Sequence, residues 1–277
     1  MSTSFTTSTT SSNSSTSTAP VNATPTKSDL IFATHEDRLI HFPQLQEVVY
    51  LDHAGATVPS KAQIDALSHS LLTQTFGNPH SVGPAASLSK KTIDSTKIQV
   101  LQTLFNTTSD DYTLIFTSGA TAGLKLVGEC FPWQSSSKFA YMRQSHNSVV
   151  GMREYAKQKN ATMCAYTNEC TVVNELIDRG WVNNSTMATT QQRSKSLLAI
   201  PGECNFSGKR FDLTETLNHD MFTAEGRHWY TLLDASKLVA TSPVDLQRYK
   251  PDFVVASFYK IVGYPTGEVA FVVAETT

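Results

Sequence analysis

DFVVASFYKIVGYPTG, Asp252–Gly267, is the stretch on which the fold turns. Pro251 and a closing turn bracket an apolar run at Phe253–Ser257, which predicts a short buried strand. Lys260 follows it among Phe258, Tyr259, Ile261 and Val262. A lysine in apolar surroundings is costly while charged, so its pKa falls and the neutral amine becomes accessible. That is the requirement for Schiff-base chemistry. On this segment alone, a lysine snorkelling from a strand end explains the pattern equally well.

Working upstream, Leu232-Leu-Asp-Ala-Ser236 places Asp234 at the end of another apolar strand, where open α/β sheets bind ligands. A turn cap is an equal alternative. Phe116-Thr-Ser-Gly-Ala-Thr-Ala-Gly123 joins a strand to a helix through small and hydroxylated residues. Unsatisfied N–H groups and the helix dipole favour an anion at such a start. Ordinary capping is the simpler explanation of that segment. No Gly-Lys-Ser/Thr follows, so it is not a P-loop. Ser145-His-Asn-Ser148 sets His146 between a strand and a helix. A histidine there serves either as a hydrogen-bonding helix start or as a cofactor contact.

Around these segments apolar runs alternate with helical periodicity. Strands are predicted at Val48–Leu51, Tyr112–Phe116, Lys138–Met142, Ala161–Tyr166, Leu197–Ile200, Tyr230–Leu233, Phe253–Ser257 and Val269–Val273. Helices are predicted at Ala62–Thr75, Ala85–Phe105, Ala120–Cys130, Ser148–Asn160, Thr171–Asp178 and Leu213–Phe222. The alternation predicts an α/β fold, a mostly parallel sheet flanked by helices, in one domain over residues 30–277.

Residues 1–29 differ in character. Of the first 28 residues, 18 are Ser or Thr, too little apolar surface to offset ordering entropy, so a disordered tail is expected. A plastid-like transit peptide is the alternative, since the segment is Ser-rich and free of acidic residues. The compartment otherwise expected is the cytoplasm. Over the full 277 residues, 22 basic and 24 acidic side chains leave a net charge of −2, which argues against a polybasic nucleic-acid binder. Apolar runs are strand-sized, so no membrane span is expected. Cys130, Cys164, Cys170 and Cys204 show neither CxxC pairing nor metal-ligand spacing, and no metal site is expected.

Together, a helix-start anion cradle, a strand-end Asp and a Lys in an apolar pocket form the set that pyridoxal 5'-phosphate needs. The Asp keeps the pyridine nitrogen protonated and the Lys holds the cofactor. The chain resembles the N-terminal, class V aminotransferase-like domain of eukaryotic molybdenum cofactor sulfurases, a family similar to cysteine desulfurases. The carrying motifs are YLDHAGAT (Tyr50–Thr57), FGNPHS (Phe76–Ser81), FTSGATAGLKLVGECFPW (Phe116–Trp133), HNSVVGMREYA (His146–Ala156), CNFSGKRF (Cys204–Phe211), LLDASKLVATSPVDL (Leu232–Leu246) and the Asp252–Gly267 stretch.

The resemblance implies a pyridoxal-phosphate-dependent transferase of fold type I. It implies that Lys260 holds the cofactor, Asp234 pairs with the ring nitrogen, His146 stacks on the ring and Asn205 contacts the ring oxygen. Ala120, Thr121 and Ser257 would bind the phosphate. The implied reaction takes sulfur from L-cysteine as an enzyme persulfide, leaves alanine and passes the sulfur to the molybdenum cofactor. A homodimer is implied too. A general cysteine desulfurase or lyase, and a non-catalytic remnant that binds the cofactor or a partner, are the alternatives.

The chain departs from the desulfurase pattern at several places. Lys237 stands where a Gln near the ring oxygen is usual, so that contact is not carried over, and Pro201-Gly-Glu-Cys204 replaces a Pro-Ala-Gln-Ser run. Glu268 and Val269 follow Gly267 in place of Leu-Gly. The family's sulfur-accepting cysteine, carboxylate-gripping Arg, small C-terminal subdomain and molybdenum-cofactor module are expected beyond Thr277, so the chain is expected to be a partial one.

Overall fold

The computed structural model describes residues 35–167, 172–181, 194–218, 222, 228–264 and 269–275. The expected disordered tail lies outside them. Among the described residues seven strands form one sheet: β1 Tyr112–Thr117, β2 Lys138–Met142, β3 Thr162–Tyr166, β4 Ser196–Pro201, β5 Trp229–Asp234, β6 Phe253–Ser257 and β7 Val269–Ala274. Their order is β1-β7-β6-β5-β4-β2-β3. Neighbours pair in parallel from β3 to β6, as the alternation predicts. The exception is β7, which inserts antiparallel between β1 and β6.

The helices are α1 His35–His41, α2 Lys61–Thr73, α3 Pro84–Phe105, α4 Ala120–Cys130, α5 Asn147–Gly151, α6 Arg153–Gln158, α7 Val172–Asp178, α8 Thr214–Leu217 and α9 Leu246–Tyr249. They cover both faces of the sheet. Along β4, Leu198 and Ile200 join Leu101 and Phe105 of α3 and Leu176 of α7 in one apolar cluster. Leu197 and Ala199 point the other way, into a cluster with Leu124 and Val127 of α4 and Val149 of α5. This is the two-residue alternation of a strand buried on both sides. Every residue of β4 is buried.

Local chemistry sets the helix ends. Ser60 and Gln63 form a reciprocal capping box at the start of α2. Pro84 opens α3, and Asn106 closes it in the left-handed conformation. A buried tie fixes β5 against β6: the Asp252 carboxylate accepts from the Thr231 N–H at 2.7 Å and its hydroxyl at 3.1 Å.

Three expected elements differ. Val48–Leu51 is not a strand; it runs as an irregular segment with Val49 and Leu51 81% and 87% exposed. An apolar run becomes a strand only where a sheet edge accepts it, and the Tyr50 hydroxyl instead donates to the Ala56 carbonyl at 2.7 Å, closing a loop. The helix expected over Ser148–Asn160 is two pieces, α5 and α6, with Met152 at the break. The helix expected over Leu213–Phe222 is interrupted at Asn218, after the single turn α8; Phe222 is again helical, and residues 219–221 lie outside the described ones.

Candidate functional site

Sheet register gathers the functional segments at one edge. Asp234, last in β5, pairs with Pro201 of β4 on one side and Val255 of β6 on the other. Ser257, last in β6, pairs with Val269, which pairs in turn with Thr117 at the end of β1. Both partners of β7 are antiparallel to it, so β1 runs parallel to β6. The loop from β1 into α4 therefore emerges at the edge where β2, β4, β5 and β6 end, the carboxyl-end location at which open α/β sheets bind ligands.

A cleft opens there, lined by Gln144, Ser145, His146, Asn205, Asp234 and Lys237 among others. Lys260 sits on a 3₁₀ turn directly after β6, 7% exposed. Its Nζ donates to Asn205 Oδ1 at 3.0 Å. Burial pushes the Lys260 ammonium below its ordinary pKa; Asp234 pulls it back up, Lys237 pushes it further down, and Asp52 pulls up again. The net result lies below 10.5, the direction that makes the neutral, nucleophilic amine more accessible. Asp234 is itself buried, with Oδ1 accepting from the Ser236 N–H at 3.1 Å.

Asn205 rides on a tight loop between Gly202 and Phe211. The Phe211 N–H donates to the Gly202 carbonyl, the Cys204 N–H to Lys209, and the Gly208 N–H to Cys204. Gly208 takes φ +69°, as that turn requires. Cys204 lines the same cleft. Burial raises its thiol pKa and so does Glu203, but the Ser207 hydroxyl and the N–H groups of Ser207 and Phe206 outweigh them, leaving it below the ordinary value.

At the other end of the site, α4 begins at Gly119 with φ +137° and no side-chain cap. The Thr121 and Ser148 hydroxyls lie 2.7 Å apart, and Ser148 Oγ lies 3.0 Å from His146 Nδ1. His146 thus serves as the cap of α5, its Nδ1 accepting from the Ser148 N–H, and also lines the cleft. Ser257 Oγ is wholly buried with no hydrogen-bond partner, and Ser145 Oγ and Ser236 Oγ are in the same condition. Buried hydroxyls without partners are expensive. Their concentration beside the helix start and the cleft fits a site built for a polar, anionic group.

Of the residues predicted from sequence, His146, Asn205 and Asp234 line the cleft directly. Lys260 reaches it through Asn205, and Thr121 through Ser148. Ala120 and Ser257 belong to it by position, at the first residue of α4 and the last of β6. Three contributors were not foreseen as site residues: Ser145, Ser236 and Glu203. The serines stood in quoted motifs, where a hydroxyl carries no mark of being buried unpaired. Glu203 and Lys237, noted separately as departures, prove to be an ion pair with Nζ and Oε1 3.5 Å apart.

The turn bearing Lys260 is braced from the N-terminal side. The Thr57 N–H donates to the Tyr259 carbonyl at 3.1 Å. Gly263, at φ +79°, lies so close to residues 57–59 that an added Cβ would fall 2.6 Å from both Pro59 N and Thr57 O.

The aminotransferase class-V family description matches residues 49–276. The chain is 41% identical over 257 residues to a molybdenum cofactor sulfurase of Arabidopsis thaliana, covering 84% of this chain and 31% of that protein. It is 40% identical over 244 residues to a molybdenum cofactor sulfurase of Homo sapiens, covering 84% of this chain and 26% of that one. The chain thus spans less than a third of the length of these relatives. Among solved structures, the cysteine desulfurase of Thermococcus onnurineus superposes with a TM-score of 0.68 at 16% identity, over 87% of this chain and 57% of that one. The cysteine desulfurase CsdA of Escherichia coli gives 0.65 at 21%, over 87% and 57%. The fold is accordingly the fold type I architecture of the cysteine desulfurases.

Proposed function

The chain belongs to the aminotransferase class-V family, and on that premise we propose that it is the cofactor-holding portion of a molybdenum cofactor sulfurase, an enzyme that draws sulfur from L-cysteine. The observation that carries the proposal is the buried amine of Lys260, depressed in basicity and steered by Asn205, at the mouth of β6.

The residues fit pyridoxal phosphate. The uncapped start of α4 with Ala120 and Thr121, and the unpaired buried hydroxyl of Ser257, would take the phosphate. Asp234 would hold a proton on the ring nitrogen, His146 would lie against the ring and Asn205 would meet the ring oxygen. When bound, the cofactor supplies the electron sink that weakens bonds to the Cα and Cβ of an amino acid. The rest falls to the chain. Lys260 in its neutral form would hold the cofactor, and its amine is the group placed to move a proton at the substrate's Cα.

L-Cysteine as donor, alanine as co-product and the molybdenum cofactor as acceptor are proposed for the longer protein. The identity of about 40% to sulfurases, against 16% and 21% to the desulfurases, favours this acceptor over that of a general desulfurase. Homodimerisation is proposed as the assembly; the exposed Leu71 and Leu72 on α2, which buries none of its residues, support it. Residues 30–277 are proposed as one domain preceded by a tail, acting in the cytoplasm. Among the described residues no helix is long and apolar enough to cross a membrane.

The test is to add pyridoxal phosphate, reduce with borohydride and map the labelled peptide. Label on Lys260, with alanine formed from L-cysteine in the presence of a reductant, supports the proposal. Label on another residue, or none, overturns the assignment of the cofactor; label without alanine overturns turnover by this chain and leaves a binding role.

A further inference from the structure

The loop that carries Asn205 also carries a thiol. Cys204 is 7% exposed and lines the cleft, the one cysteine among the described residues that does. Cys130 ends α4 in a separate cavity with Phe131 and Tyr230, and Cys164 lies within β3. The bonds that close the Gly202–Phe211 loop run through Cys204 itself. Its N–H donates to the Lys209 carbonyl and its carbonyl accepts from the Gly208 N–H, both at 2.9 Å. Its Sγ accepts from the Ser207 N–H at 3.5 Å. The sulfur is thus held in place by donors that favour a thiolate, the form that acts as nucleophile. Cys204 and Lys260 flank Asn205, the first through a peptide bond and the second through the 3.0 Å hydrogen bond to Oδ1. The cleft is small, about 180 Å³, so an occupant that engages Asn205 meets Cys204 as well. In the same lining, Ser145 and Ser236 are 8% and 6% exposed and their hydroxyls have no partner, the mark of a polar occupant. Cys204 also closes the Pro201–Cys204 run in which this chain departs from the desulfurase pattern, a thiol in place of a serine hydroxyl.

We propose that Cys204 takes the sulfur of L-cysteine in this cleft and becomes a persulfide, a catalytic thiol within the chain. The inference deepens the reading above and rests on it. The Cys204 thiolate attacks the substrate's sulfur; an S–S bond forms between the two sulfurs and the substrate's Cβ–S bond breaks. The electron pair of the broken bond passes into the electron sink that the cofactor supplies and ends, with a proton, as a C–H bond of alanine. The proton that the Cys204 thiol gives up balances the one that Cβ takes up. Oxidation at sulfur equals reduction at Cβ, so no outside oxidant is consumed. A second thiol, supplied as reductant, attacks the outer sulfur and returns Cys204 to its starting form.

The full chain is loaded with pyridoxal phosphate, given L-cysteine without reductant, alkylated and digested, and each cysteine peptide is weighed for one added sulfur. The added sulfur should sit on Cys204. Cys204→Ser keeps an acceptor for the Ser207 N–H but has no nucleophile for sulfur. Its borohydride labelling at Lys260 should stay within about twofold of the parent chain, while alanine formation, measured with a reductant present, falls roughly tenfold or more. Independently of turnover, bound pyridoxal phosphate should slow alkylation of Cys204 by iodoacetamide about fivefold or more and leave that of Cys130 unchanged. Cys130→Ser, outside the cleft, should form alanine as the parent chain does. Added sulfur on another cysteine or on none, alanine formation undiminished in Cys204→Ser, or alkylation of Cys204 indifferent to the cofactor overturns the proposal. Borohydride labelling of Lys260 in the parent chain separates the two levels. Its absence overturns the cofactor assignment and this inference with it; its presence alongside any of those results overturns this inference alone.

Discussion

Lys260 Nζ and Asn205 Oδ1 meet at 3.0 Å although 55 residues separate them in sequence. The bond joins the turn after β6 to the loop after β4, and it gives the buried amine an acceptor that carries no charge. A carboxylate there would favour the ammonium; an amide oxygen orients the nitrogen while leaving burial to set its protonation.

Replacing Asn205 by Ala should slow cofactor capture by Lys260 roughly tenfold, the size expected for one lost hydrogen bond to an amine. Asn205→Asp should act differently, raising the Lys260 pKa toward the ordinary value of 10.5 and shifting capture to higher pH. Stopped-flow absorbance across pH checks both. An Asn205→Asp profile superimposable on that of the parent chain would contradict the electrostatic part.

Lys260 also links stability to pH. Its folded pKa lies below the unfolded value, so the unfolded chain binds more protons in the interval between the two. Stability from this residue is therefore lowest below the folded pKa and is recovered as pH rises to about 10.5. Lys260→Met should be more stable than the parent chain near neutral pH, and the advantage should shrink as pH climbs through that interval. Urea titrations at several pH values measure the difference; an advantage independent of pH would refute the linkage.

Gly263→Ala and Gly83→Ala make a matched comparison. Both glycines have positive φ, +79° and +129°. Around Gly83 nothing lies within 4 Å of an added Cβ, whereas at Gly263 backbone atoms lie 2.6 Å away. Gly83→Ala should cost about 1–3 kcal/mol of backbone strain. Gly263→Ala should cost more and should also lower cofactor affinity, because it pries residues 57–59 off the turn that carries Lys260. Thermal melts and cofactor titration read the two effects.

Asp252→Ala should destabilise the chain by about 2–4 kcal/mol, since it leaves the buried Thr231 N–H and hydroxyl without the carboxylate they donate to. Thr231→Val removes one donor and should cost less. Equilibrium unfolding ranks the two, and the reverse order would show that the tie is dispensable.

The parts of this molecule legible in its sequence are those encoded locally. A strand-sized apolar run ending in Asp234, another ending in Ser257 and a small-residue turn before α4 each carry their own signature, and all three stand where the pattern predicts. What was not legible depends on partners distant in sequence. Val48–Leu51 has the composition of a strand and no sheet neighbour. The run at residues 269–273 looks like any other strand, and nothing local tells that it inserts antiparallel. The pairing of Glu203 with Lys237 links positions 34 apart whose meeting follows only from β4 lying beside β5. The unpaired states of Ser145, Ser236 and Ser257 are likewise properties of the surroundings and not of the serine.

The placement of β7 has a consequence for how the molecule is made. Its neighbours begin at Tyr112 and Phe253, so the earlier of them leaves the ribosome more than 140 residues before the strand that joins it to the rest. Until Val269–Ala274 emerges, β1 has no strand to pair with, and the nascent chain can organise only the five strands from β3 to β6. Synthesis halted before that point would release a polypeptide with an open hydrogen-bonding edge on β6 and β1 left as an unpaired apolar strand, the kind of species that chaperones and proteases intercept.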